Sequence, residues 1–215
     1  MTEDVAKISV NIPETVASKS AHEVSQAESD DRDLVERCQR GDLDAYEVLV
    51  GRYRVKVYNL AFGILRNEQD ATDLCQEAFV RGWQAIHSFR KDASFYTWIY
   101  RITTNLGIDF VRRRDRRPTT PLDEAIDPDV DASVQEPPST NPSPVDEAQR
   151  RELREQIDAA LLQLSPEHRV VIQLREFDDM DYAAIAKVIG CSIGTVMSRL
   201  HYARKHLQKL LKPVI

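Results

Sequence analysis

The side chains in this sequence best suited to chemistry are cations and hydrogen-bonding groups that stand apart from acids. From Tyr182 to Ile215 there are six Lys and Arg and no Asp or Glu. On a helical wheel of residues 193–210, Ile193, Val196, Leu200, Ala203 and Leu207 share one arc, which is expected to be buried. The opposite arc carries Gly194, Ser198, His201, Tyr202, Lys205 and Lys209, with Arg199 and Arg204 on its flanks. Small and hydrogen-bonding residues between cations suit a helix lying in a DNA major groove, where side chains meet base edges and cations meet phosphates.

A second such group lies in residues 95–117. Phe95, Trp98, Ile99, Leu106 and Phe110 form an apolar arc, while Tyr100, Arg101, Thr104, Asn105 and Arg112 form a polar one without a carboxylate. Five of the six residues 112–117 are Arg. Arginines attract phosphates, and an amide beside aromatics reads the edge of an unstacked base. These residues alone leave another reading open, in which the aromatics are core and the arginines complement a helix C-terminus.

Catalysis finds no support in the sequence. The five histidines (His22, His87, His168, His201 and His206) are scattered, and no nucleophile–base pairing, metal-ligand spacing or phosphate loop is present. No enzyme, metal or cofactor is expected. Cys38, Cys75 and Cys191 lie far apart without a CxxC pair, so they predict small buried residues rather than a disulfide framework or zinc site. No apolar run approaches the roughly 20 residues of a spanning helix. Residues 1–20 lack the basic start and apolar stretch of an export signal, which predicts a cytoplasmic protein.

The elements that must position these groups are all helical, with no sustained period-two pattern. Asp42 is a cap for a helix over about 42–65, with Gly41 as the preceding stop. Asn67 with Asp70 resembles a capping box opening a helix over about 68–87. Ser94 caps the next helix, to about Arg114. Leu153, Ile157, Leu161 and Leu164 form a further stripe, and Ser165-Pro166-Glu167 opens the next helix, with Val170, Val171, Leu174 and Phe177 as its apolar face. Tyr182 to His201 reads as a helix-turn-helix: small Ala186 at the crossing, Gly190 in the turn, Ser192 as the second cap.

The net charge of −6 argues against nucleic acid only as an average. Residues 1–31 carry −5, 32–120 carry +4, 121–147 carry −8 with no base at all, and 148–215 carry +3. Seven of the ten prolines fall in 118–147. The expected organisation is a disordered tail over 1–29, a helical domain over 30–117, an acidic flexible linker over 118–147 and a helix-turn-helix domain over 148–215. Such a linker could span roughly 90 Å at ~3.1 Å per residue, allowing the domains to sit far apart on a partner.

Between Asp73 and Ile86 an apolar arc of roughly 180° exceeds the usual ~100° stripe. It signals either deep burial or a docking face. Asp73–Ile86, Ser88–Asn105 and Leu164-Ser-Pro-Glu-His-Arg169 through Leu207 together resemble the extracytoplasmic-function (group IV) sigma factors of the bacterial sigma-70 family. The resemblance covers about 30–117 and 148–210. It implies an alternative sigma factor that directs core RNA polymerase to promoters and aids their melting, with sigma domains two and four joined by the linker. It implies core-polymerase contacts at Asp73, Leu74, Gln76, Glu77, Phe79, Val80, Trp83 and Ile86. For the melted minus-ten element it implies Ala85, Phe89, Arg90, Lys91, Arg101, Ile102, Asn105, Arg112 and Arg113. The loop from Phe89 to Ala93 corresponds to the pocket for a flipped base of the non-template strand. For the minus-thirty-five duplex it implies Ser192, Thr195, Ser198, Arg199, His201, Tyr202, Arg204 and Lys205. His201 and Tyr202 depart from the aromatic and Arg that well-known members carry there. An anti-sigma factor is the further partner the resemblance implies. A helix-turn-helix repressor or activator acting without polymerase would account for the C-terminus but leaves 68–117 without a role, and the acid-free run disfavours a protein-only adaptor.

Overall fold

Side chains that satisfy helix ends set the boundaries of the chain's elements. A computed structural model describes residues 21–90, 93–116 and 144–211. In chain order, α1 is Ala21–Gln39, α2 Leu43–Leu65, α3 Glu68–Ala85 and α4 Phe95–Arg116, with a short 3-10 turn over Ile86–Ser88. Then follow α5 Pro144–Leu162, α6 Pro166–Ile172, a π-turn over Gln173–Phe177, α7 Tyr182–Ile189 and α8 Ile193–Leu211. No strand occurs among the described residues.

Each cap satisfies a backbone N–H that the helix itself leaves unpaired. Asp42 accepts from Ala45 N at 3.1 Å and Asn67 from Asp70 N at 2.8 Å. Ser94 accepts from Thr97 N at 3.2 Å, Ser165 from His168 N at 3.4 Å, and Asp181 from Ala184 N at 2.7 Å. Two boundaries differ from the sequence expectation. α1 begins at Ala21, inside the stretch expected to be a disordered tail, and α5 begins at Pro144, inside the expected linker.

Helices α1 to α4 pack around Val35, Leu49, Leu60, Ile64, Ile86 and Ile99, all fully or nearly fully buried. Tyr46 crosses this bundle and donates its hydroxyl to the Phe79 carbonyl at 2.6 Å. Glycine is required at position 82, because a Cβ there would come within 2.6 Å of that hydroxyl. Helices α5 to α8 enclose Leu161, Leu164, Val171, Leu174, Ile185 and Leu200. Each such fully buried side chain stabilises the fold by about 1.5–3 kcal/mol relative to exposure.

The two helical groups are in contact, and their buried residues join into one apolar cluster. α4 packs against α6 and α7, and α2 packs against α6 and the π-turn. Several residues depart from the helical-wheel reading. Tyr100 (1% exposed) and Thr104 fall on the polar arc of the wheel, yet both are buried. Trp98 and Phe110 are only half-buried, and Leu153 is exposed. Ile193, assigned to the buried arc, is 48% exposed at the first turn of α8. Phe177 is 56% exposed, because the π-turn widens the helix and rotates it off the stripe of Val170 and Leu174. There it lies beneath the Arg66 guanidinium, 5.7 Å from the ring centroid.

Candidate nucleic-acid interface

In the second domain, α7 and α8 meet at 99°, the crossing expected of a helix-turn-helix. Gly190 ends α7 with φ of 66°, a left-handed conformation that an L side chain adopts only at a cost. Ser192 opens α8 by accepting from Thr195 N at 3.1 Å. Val196, Leu200 and Ala203 anchor α8 to the core. The outward face that results carries Ser192, Ser198, His201, Tyr202 and Lys205, all exposed, while Thr195 and Arg199 are half-buried at its edges. Tyr202 is 61% exposed, with its ring edge-on to His201 at 5.5 Å. Arg204 is exposed but not free, since its guanidinium donates twice to Glu176 Oε1, at 3.0 and 2.6 Å. That carboxylate holds the Arg204 proton more tightly than usual.

In the first domain, the residues singled out on α3 divide into two sets. Leu74, Phe79 and Ile86 point into the core and are buried, so they position the helix and have no free surface for a partner. Asp73, Gln76, Glu77 and Val80 face outward, and Glu77 is paired with Arg81 at 2.6 Å. Trp83 is half-buried against Tyr46, with ring centroids 5.1 Å apart. The broad apolar arc of α3 is thus explained chiefly by burial, with Val80 (51% exposed) left over at its edge.

The residues singled out around α4 are also unequal. Phe89 is buried against Trp98, and Ala85 and Ile102 are half-buried. Arg90, Arg101, Asn105, Arg112 and Arg113 are exposed, whereas Lys91 lies outside the described residues. A Cβ placed on Gly190 would come within 3.5 Å of Arg101 Nη2, so Arg101 lies beside the turn of the helix-turn-helix. Arg112 donates to the Glu167 carboxylate of α6. Burial pulls the Glu167 carboxyl upward, but hydrogen bonds from the backbone and from Arg112 outweigh it and lower its pKa overall.

Residues between the domains went unremarked in the sequence. Arg169, 3% exposed, donates to the carbonyls of Leu161, Leu162 and Leu164 at 3.0, 2.9 and 3.1 Å, and to the Ile64 carbonyl at 2.6 Å. Desolvation, with help from Arg114 and Arg66, lowers its pKa to about 10, so it remains a cation. Asp178 Oδ2 is buried without a hydrogen-bond partner, and burial raises its carboxyl to about 6 against a smaller opposing pull from Lys56. Arg169 lies in the Leu164-to-Leu207 stretch that carries the family resemblance, but nothing in its spacing signals burial. No cluster that could hold a metal occurs among the described residues.

A helix-turn-helix with an acid-free outward face, beside a helical bundle with exposed arginines, defines a DNA-binding class of protein. Residues 49–117 match the model of sigma-70 region 2 and residues 154–207 that of sigma-70 region 4. The chain is 35% identical over 193 residues to the RNA polymerase sigma-H factor of Pseudomonas aeruginosa, covering 86% of this chain and 95% of that protein. It is 35% identical over 186 residues to the ECF RNA polymerase sigma-E factor of Escherichia coli, covering 86% and 96%. Among solved structures, CnrH in complex with the cytosolic domain of CnrY is similar, with a TM-score of 0.62 and 27% identity over 86% of this chain and 99% of that one. The sigma factor RpoE of Bartonella quintana, solved with the anti-sigma factor NepR, shares the fold with a TM-score of 0.55 at 24% identity over 79% and 98%. The chain belongs to the extracytoplasmic-function sigma factors of the sigma-70 family. Its function is that of an alternative sigma factor, directing RNA polymerase to promoters at transcription initiation. No single helix among the described residues is long and apolar enough to cross a membrane.

Proposed function

We propose a division of labour within this sigma factor. The outward face of α8, with Ser198, His201, Tyr202 and Lys205, reads the minus-thirty-five duplex, supported by Ser192, Thr195, Arg199 and Arg204 at its margins. The observation that carries this reading is an exposed, acid-free helix face held at a helix-turn-helix angle by a buried apolar back. Hydrogen-bonding side chains at its centre specify bases, and the cations around them supply sequence-independent attraction to phosphates.

The first domain grips core polymerase through Asp73, Gln76, Glu77 and Val80, with the edge of Trp83, while Leu74, Phe79 and Ile86 hold that helix in shape. Arg90, Arg101, Asn105, Arg112 and Arg113 attract and read the separated minus-ten strand beside Ala85, Phe89 and Ile102. The division into domains over 30–117 and 148–215 goes with this reading. The factor has no catalysis of its own and works in the cytoplasm, with polymerase performing the chemistry. An anti-sigma factor is the regulatory partner that goes with this family, and the similar CnrH was solved in complex with the cytosolic domain of CnrY.

Run-off transcription with purified core polymerase on a promoter library tests the whole assignment. Initiation is expected at a defined subset of promoters only when the chain is present, and Tyr202→Ala is expected to change which subset. Initiation that is indifferent to the chain removes the reading.

A further inference from the structure

Two apolar side chains stand at the edge of the acid-free outward face of α8 without a place in the core. Met197 is 54% exposed and Ile193, one turn earlier, is nearly as open, and neither belongs to the apolar cluster. Val196 and Leu200 beside them are buried, so α8 is anchored without their help. Met197 lines an open cleft with Tyr182, His201, Arg204 and Lys205, which places it among the side chains of the proposed reading face. No Asp or Glu occurs from Tyr182 to the C-terminus, so the charge around both residues suits a polyanion. Gly194 is exposed and carries no side chain, so the first turn of α8 can come close to whatever it faces.

A major groove that receives this helix offers these side chains one apolar partner. The base edges there present hydrogen-bond donors and acceptors, and the single apolar group among them is the C5 methyl of thymine. A thioether or aliphatic chain laid against the other edges would strip water from polar atoms and return no hydrogen bond. We infer that Met197 and Ile193 are specificity-determining residues that recognise thymine methyl groups in the minus-thirty-five duplex. The two positions are about 6 Å apart along α8 at ~1.5 Å per residue. The methyls they meet therefore lie within about two base steps of one another, on either strand. Covering one methyl removes about as much apolar surface from water as burying one methylene, which raises affinity about fourfold. Ser198, His201 and Tyr202 are left to supply the hydrogen-bonding contacts. This rests on α8 being the duplex-reading helix proposed above.

The test measures promoter binding by core polymerase loaded with the full chain, on a promoter recovered from the run-off library. Each thymine of its upstream element is replaced in turn by deoxyuridine, which keeps the base pair and its groove acceptor and removes only the methyl. Replacements at two neighbouring thymines are expected to weaken binding by about fourfold each. Met197→Ala is expected to bind the thymine promoter about fourfold more weakly and to lose the discrimination at one of those positions. Ile193→Ala is expected to lose it at the other. Both variants should keep the thermal midpoint of the unaltered chain, because these side chains face solvent. An upstream element without thymine, deoxyuridine promoters bound as tightly as thymine ones, or alanine variants that still discriminate overturn the inference. Transversions at each upstream base, measured alongside, separate these failures from a failure of the α8 reading. A complex sensitive to transversions but not to the methyl overturns the inference and leaves that reading standing. One indifferent to both overturns the two together.

Discussion

Asp178, in the turn after the π-turn, and Lys56, on α2, attract one another electrostatically across the boundary between the two domains. Tyr96 and Tyr100 of α4 also feel the Asp178 carboxylate, and burial raises both phenols, so neither titrates near neutrality. Of these three, Asp178 is therefore the group that titrates near neutrality. Its pKa in the folded chain is raised to about 6, above its ordinary value, so protonation stabilises the fold. That contribution is complete below the ordinary carboxylate range and is lost as pH rises through about 6. Glu167 has the opposite sign, because its lowered pKa makes its pairing with Arg112 fail only in more acidic solution. Between pH 7.5 and 5 this group should add up to about 1.4 kcal/mol to the stability of the fold, read as a rising thermal midpoint. Asp178→Asn should lack that share of the rise, and its difference from the unaltered chain excludes the contribution of His168. An unaltered chain and Asp178→Asn with the same pH dependence between these values refute the assignment.

Glu176 restrains the cation of Arg204 at the edge of the recognition helix. Glu176→Gln should strengthen duplex binding across all sequences, while Arg204→Ala should weaken it uniformly and reduce the salt slope by about one. Salt-titrated binding to a duplex library checks both. A change in sequence preference from either variant would mean that Arg204 reads a base.

Asn105 is exposed on α4 with its amide free of the core. Asn105→Ala should impair strand separation at the promoter more than duplex binding. Chemical probing of unpaired thymines, compared with duplex affinity for the same variant, measures the two. Equal losses would remove Asn105 from the base-reading role.

On α3, Val80 and Leu74 should separate partner binding from folding. Val80→Asp should weaken core-polymerase capture without a change in thermal unfolding, because the side chain already faces solvent. Leu74→Ala should destabilise the chain by about 2–5 kcal/mol through a cavity in the bundle. Calorimetry alongside polymerase pull-down distinguishes them, and a Val80 variant that unfolds early would count against its role as a contact.

The sequence alone determined the local framework, because local chemistry decides it. A capping oxygen three residues before its N–H, a glycine able to turn left-handed and an apolar stripe of period 3.6 each act within a few residues. Hence α2, α3, α4 and the helix-turn-helix were legible, as was the exposed face of α8. A wheel sorts residues into faces but carries no information about what packs on each face. Tyr100 and Thr104 fall on the polar arc of the wheel yet are buried, and the Tyr100 hydroxyl donates to the Lys56 carbonyl of α2. The reverse holds for Ile193, whose apolar side chain finds no neighbour at the first turn of α8. Tertiary structure alone brought Arg169 to the end of α2 and left Asp178 buried beside Lys56, since both arrangements depend on contacts more than a hundred residues apart in the chain.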